Sequence, residues 1–89
     1  MIPTTEQRIA TKIHLGLLPC DGPHCTRDGL GDGRPCDGCD RGITARDLQI
    51  EAEFHLGARL HRFHVACFLV WHRAADTLRP ILAHAKAAP

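Results

Sequence analysis

Residues Arg62–Trp71 read RFHVACFLVW, an apolar run of the kind that buries one side of a helix, interrupted by His64 and Cys67 three positions apart. An i, i+3 pair on a first helical turn projects its two side chains from the same side. Upstream, Pro35–Asp40 reads PCDGCD, which sets Cys36 and Cys39 as a C-x-x-C pair on a turn containing Gly38. Such a turn brings two sulfurs together and leaves backbone N–H groups free to reach them. Two pairs of this kind make the corners of a cage. Thiolate and imidazole donors in tetrahedral array suit Zn2+, a closed-shell ion with no directional preference of its own. Four protein ligands leave no position for water, so a centre built on Cys36, Cys39, His64 and Cys67 is expected to be structural and not catalytic.

Chain length gives such a centre a purpose. A domain of 89 residues buries only about 60–65% of the surface its unfolded chain exposes. Its four aromatic residues, Phe54, Phe63, Phe68 and Trp71, all follow residue 50, and there is no Tyr. A core this thin needs an added constraint, a metal or a partner subunit. Five cysteines leave one unpaired in any disulfide scheme, which fits a reducing compartment where clustered cysteines hold metal. No apolar run approaches the roughly 18 residues of a membrane span, and MIPTTEQRIATK lacks the basic-then-apolar order of a leader. The expectation is a soluble, cytoplasmic protein without membrane partners.

Between the ligand pairs, DLQIEAEFHL (residues 47–56) alternates Leu48, Ile50, Ala52, Phe54 and Leu56 with polar residues, the period of a strand with one wet face. Gly57 supplies a turn and RLHRFH returns, so Asp47–His64 reads as a β-hairpin. From Val65 to Leu78 there is neither Gly nor Pro, and Phe68, Trp71, Ala75, Leu78 and Leu82 share one helical face; Pro80 should kink or restart that helix. At the other end, Thr4 is an N-cap with Gln7 completing a capping box, Ile9 and Ile13 lie on one face, and Gly16 ends the helix before GLLP turns the chain toward a core. Residues 20–42 hold six of the eight glycines and read as loop, pinned by Cys36 and Cys39. GLGDG (residues 29–33) lacks the Lys-Ser/Thr pair of a phosphate loop. The expected fold is a small α+β zinc-binding domain: an N-terminal helix and cap over 1–19, a Gly-rich loop over 20–34, and a zinc module with a C-terminal helix over 35–89, all one domain.

Knuckle, then hairpin, then helix is the treble-clef order. Pro35–Trp71 resembles the first zinc module of LIM-type fingers, with CDGC, a spacer of residues 40–63, and FHVACF where that family has F-H-x-x-C-F. The chain is also similar to small bacterial zinc-finger-like proteins in which a G-x-LP segment, here GLLP, and a glycine-rich loop precede such a site. The resemblance implies one structural zinc on Cys36, Cys39, His64 and Cys67. Val70 stands where a LIM domain's next ligand would fall and no cysteine follows Cys67, so it implies a single metal and not the LIM partner repertoire.

Other residues give competing readings. His61 also lies near the helix start, but it is six positions from Cys67 and strand alternation sets it opposite His64. Cys20, His24 and Cys25 read as a second metal cluster, with His14 as a fourth ligand, as a Cys20–Cys25 disulfide, or as ordinary loop thiols. Acidic residues dominate from Asp21 to Glu53, whereas Arg59, Arg62, Arg73, Arg79 and Lys86 face only Asp76 in the last third. The first functional expectation is a non-catalytic adaptor or regulator that binds another protein, or itself, through Ile9, Ile13, Leu17, Leu78 and Leu82. The second is a nucleic-acid-binding regulator using Arg59, Arg62, Arg73 and Arg79. The third is an HNH-like metal-dependent nuclease built from His55, His61 and His72 with Glu51 or Glu53.

Overall fold

The structure is a computed structural model that describes residues 2–23, 25–54 and 60–87, with side chains as far as Leu82. The first element, α1 (Thr5–His14), starts where the sequence places its cap. The Thr4 hydroxyl accepts the Gln7 N–H at 3.1 Å and the Gln7 amide oxygen accepts the Thr4 N–H at 2.8 Å, satisfying two of the helix's orphan donors. At the far end the Gly16 N–H donates to the Ile13 carbonyl (3.1 Å) and the Leu17 N–H to the Lys12 carbonyl (2.8 Å). That bond pair requires a left-handed residue, and Gly16 adopts φ +76°, a conformation any β-carbon would penalise.

Beyond this cap the chain lies across the later helix, α2 (Val65–Ala87). Leu18 is buried, the Pro19 carbonyl accepts the Trp71 indole N–H at 2.8 Å, and the Cys20 carbonyl accepts Arg79 Nε at 2.7 Å. α2 runs through Pro80 as a single helix, so the chain does not restart there. The missing N–H forfeits one bond, to the Asp76 carbonyl; Ala75 and Leu78 before the proline and Leu82 after it all pack on the core, and that packing outweighs one lost bond.

A second correction concerns residues 20–42, which are not loop throughout. Cys25–Leu30 forms strand β1, paired antiparallel with β2 (Leu48–Glu53) from Cys25↔Glu53 to Leu30↔Leu48. Every β1 residue is exposed, so the strand is held mainly by backbone pairing and leaves no apolar alternation to read. Its Arg27 and Asp28 suit an unprotected edge. The hairpin partner, β3 (Leu60–His64), pairs with β2 from Gln49↔His64 to Glu53↔Leu60, giving the order β1-β2-β3. The hairpin's connecting residues 55–59, with His55, Gly57 and Arg59, lie outside the described residues. Ala52 and Phe54 face the core as the alternation predicts, but Leu48 is 58% exposed and Gln49 only 6%. Leu48 sits opposite Leu30 of the uncovered edge strand, whereas Gln49 sits opposite His64.

α1, the sheet and α2 share one core. Ile9, Ile13, Leu18, Ile43, Ala52, Phe54, Phe63, Trp71 and Ala75 are buried together with Cys36, Cys39 and Cys67. Trp71 is its centre, with Phe54, Phe68 and Phe63 ring centroids at 5.1, 5.5 and 6.0 Å. No helix of the described residues is long and apolar enough to cross a membrane.

One glycine in this frame carries a direct prediction. The Gly31 N–H donates to the Asp47 carbonyl at 3.0 Å, and a β-carbon on Gly31 would overlap the carbonyls of Ile43 and Thr44. Neither obstacle is the end of a flexible side chain. Gly31→Ala is therefore expected to cost about 1–3 kcal/mol, the usual range for overpacking, measured as a lower thermal unfolding midpoint. An unchanged midpoint would show that the backbone of 43–47 yields freely.

Candidate metal centre

The first ligand pair is shaped by a tight backbone turn. Pro35 bridges Gly42, the Cys36 N–H donates to the Arg41 carbonyl (2.8 Å), and the Asp40 N–H returns to the Cys36 carbonyl (2.9 Å). Asp40 leaves the turn at φ +69°, a left-handed conformation that Asp tolerates better than most residues. Its carboxylate takes Lys12 Nζ at 2.7 Å and Arg8 at 3.8 Å, and Lys12 Nζ also donates to the Asp37 carbonyl at 2.8 Å. α1 is thus clamped onto the knuckle by charge as well as by packing.

On its other side the knuckle is stitched to β3. The Asp37 N–H donates to the Arg62 carbonyl (2.7 Å), and Asp37 Oδ2 accepts both the Arg62 N–H (3.0 Å) and His61 Nδ1 (3.0 Å). Two residues further on, β3 ends at His64 and α2 begins, bringing Cys67 round on its first turn.

The result is the grouping that the spacing predicts. The ligand atoms of Cys36, Cys39, His64 and Cys67 all lie within 4.8 Å of one another, and among the described residues no other such group forms. Cys39 Sγ is 3.4 Å and Cys67 Sγ 3.9 Å from His64 Nδ1. A tetrahedron with metal–sulfur bonds of about 2.3 Å has edges of about 3.8 Å, so small side-chain shifts would close the cage on one ion. Cys36 Sγ accepts the N–H groups of Gly38 (3.3 Å) and His64 (3.4 Å), which fix the position of that sulfur in the turn. Cys36, Cys39 and Cys67 are all buried. Burial pushes the Cys67 thiol above its ordinary range, and the neighbouring Cys36 and Cys39 sulfurs push it further. Three thiolates cannot share this space without a cation. These four residues could hold one metal ion, and the donor set is consistent with zinc.

The second nitrogen of His64 also has a neighbour. Nε2 lies 3.8 Å from Asp47 Oδ2, too long for a hydrogen bond, and that oxygen is fixed by the Thr44 N–H (3.1 Å) and hydroxyl (3.0 Å). The carboxylate therefore stands behind the imidazole with Nδ1 turned to the sulfurs, as outer residues of metal sites do. Spacing reasoning missed Asp47 and Asp37. The signal available for Asp37 was a carboxylate between two paired cysteines.

The remaining sequence candidates are dispersed. Ile9 and Ile13, read as a docking stripe, are 0% and 3% exposed and belong to the domain's own core; Leu78 and Leu82 pack against that core, and only Leu17 of the set stands exposed. The stripe is consumed because α1 seats on the knuckle and on α2. Cys20 and Cys25 are both free thiols, so no disulfide joins them: Cys20 packs on the core with its carbonyl held by Arg79, while Cys25 is drawn into β1 with Sγ 3.5 Å from Glu53. His24, their proposed co-ligand, lies outside the described residues. Of the arginines, Arg62 contacts Glu51 at 3.9 Å, Arg79 bonds Cys20 and Asp76, Arg73 lines a cleft between α1 and α2, and Arg59 is outside the described residues. His61 faces Asp37, and His72 makes an exposed contact with Asp76 at 3.7 Å; among the described residues of the nuclease reading, His61, His72, Glu51 and Glu53 form no metal-binding group, and His55 lies outside the described residues. No family model, curated protein or solved structure matches the chain.

Proposed function

We propose that this chain is a zinc-stabilised, non-catalytic module of the treble-clef kind, with a LIM-like ligand order, that works in a reducing compartment such as the cytoplasm by binding another protein. The observation that carries the reading is the convergence of three sulfurs and one imidazole nitrogen, two donors from a knuckle and two from a strand-to-helix junction, into one largely buried group. Zinc, when bound there, supplies two positive charges and a four-point cross-link with no open coordination position. The chain's own residues do the rest: Lys12 and Arg8 hold α1 to the knuckle, Asp37 holds the knuckle to β3, and Asp47 stands behind His64. The order of knuckle, hairpin and ligand-bearing helix supports the treble-clef assignment.

The partner half of the reading rests on apolar surface that the fold leaves uncovered. Leu17 is 61% exposed, next to the Leu15 cap at 67%, and Leu69 is 62% exposed on α2. Nucleic-acid recognition is less well supported, because Arg62 and Arg79 already have partners within the chain. Native mass spectrometry of the purified, reduced protein tests both halves at once. One zinc per chain is expected, in an assembly of more than one polypeptide that Leu17→Lys dissociates. A lone chain carrying zinc would overturn the partner half and leave the metal half standing.

A further inference from the structure

We propose that His61 is a positioning residue of the metal centre, acting through Asp37 to hold the Cys36–Cys39 turn in register with His64 and Cys67. The inference rests on the reading that the cage holds a metal ion. His61 is not a member of the four-residue group; it lies on the core face of β3 with Phe63, and its side chain is 10% exposed. Phe54 meets the imidazole edge-on at 5.6 Å, and Phe63 lies at 6.3 Å, so packing fixes the ring. Nδ1 is thereby held 3.0 Å from Asp37 Oδ2.

That carboxylate is where the two halves of the cage are indexed to each other. The same oxygen accepts the Arg62 N–H, the Asp37 N–H returns to the Arg62 carbonyl, and Lys12 Nζ bonds the Asp37 carbonyl. Asp37 follows Cys36 directly and precedes Cys39 by two residues, while Arg62 precedes His64 by two. A strand rises about 3.3 Å per residue. A knuckle displaced by one residue along β3 would therefore carry its sulfurs farther than the length of a zinc–sulfur bond, about 2.3 Å. A phenylalanine at 61 could fill the same aromatic pocket without the desolvation cost of an imidazole. What it could not do is donate to Asp37.

The decisive comparison is His61→Phe against His61→Asn, whose side-chain amide nitrogen sits where Nδ1 does. Zinc affinity is read by chelator competition, and ligand geometry by the visible absorption of the Co2+-loaded protein. His61→Phe is expected to lower zinc affinity by about 10–100-fold, the usual range for outer-shell partners, and to alter the Co2+ spectrum; His61→Asn should recover most of both. Asp37→Ala should lose affinity by a similar factor, and adding His61→Phe to it should cost little more. If His61 merely fills the core, the order reverses: Asn, smaller and more polar, binds zinc more weakly than Phe, and the proposal falls. It falls equally if His61→Phe binds zinc as tightly as the parent protein. Should His61→Phe fail to fold, the comparison of Asp37→Ala and His61→Asn with the parent still decides, and equal affinities for Asp37→Ala and the parent would overturn the proposal. A parent protein that takes up no metal would instead overturn the zinc reading itself.

Discussion

Stripping the metal with a chelator, or replacing Cys39 with serine, is expected to unfold the whole domain and not merely to loosen the knuckle. Small domains are stable by only about 5–15 kcal/mol, and structural zinc in finger-sized domains contributes about 10–16 kcal/mol of apparent binding free energy at neutral pH. Three of the twelve apolar residues in this core are the ligand cysteines themselves. Loss of the ion therefore removes the cross-link from the middle of the core, and the knuckle is also the platform for Lys12 and Arg8 of α1. Cys39 is the sharpest single test because its sulfur is 3.4 Å from His64 Nδ1, bridging the two ligand pairs, and serine keeps its size while giving up the thiolate. Far-ultraviolet circular dichroism should lose the signal of both helices on chelation.

Acid should act in the same direction. In the metal-free cage, burial and the neighbouring sulfurs raise the Cys67 thiol above its ordinary range, so at neutral pH it carries a proton that metal uptake must expel. Affinity consequently falls as pH falls, and metal-dependent stability is lost on acidification and regained toward neutral pH. A chelated, reduced protein with undiminished helical signal at neutral pH would sink this account.

What could be read in the sequence and what could not divide along a physical line. The ligand quartet was legible because coordination chemistry imposes short, local spacings on rare residue types, and the caps of α1 were legible because Thr4, Gln7 and Gly16 act on bonds within a few residues of themselves. Strand β1 was invisible because nothing about it is buried: its partner is the backbone of β2, and backbone pairing leaves no mark on side-chain type. The stripe of Ile9 and Ile13 announced that α1 docks, but not that it docks on its own knuckle and on α2. The restart expected at Pro80 as one of two outcomes did not occur, for a related reason. A local breaker was weighed without the tertiary packing of Leu78 and Leu82 on either side of it.

Trp71→Ala is expected to have the largest effect of any substitution outside the cage. Trp71 is 0% exposed, and emptying such a site costs about 3–5 kcal/mol through lost transfer energy and the cavity left behind. Its position adds a second cost. The indole N–H is the donor to the Pro19 carbonyl at 2.8 Å, one of the bonds that strap the segment after α1 onto α2, and losing a bond to this partly buried carbonyl costs about 1 kcal/mol. Trp71→Phe separates the two contributions, because it keeps aromatic contact with Phe54 and Phe68 but removes the donor. At about 4–8 °C of midpoint per kcal/mol for a domain of this size, Trp71→Ala should lower the zinc-loaded thermal midpoint by about 15–50 °C, and Trp71→Phe by less than half of that. Trp71 follows Cys67 by one helical turn and is not one of the four ligand residues, so both variants should still take up one zinc per chain, with lower apparent affinity because binding must now also drive folding. Zinc held at about 100 times its dissociation constant should return about 2.7 kcal/mol to either variant. A Trp71→Ala protein that melts like its parent would show that the core is not organised around this ring. One that keeps its helices but takes up no zinc would show that the ring shapes the ligand geometry itself.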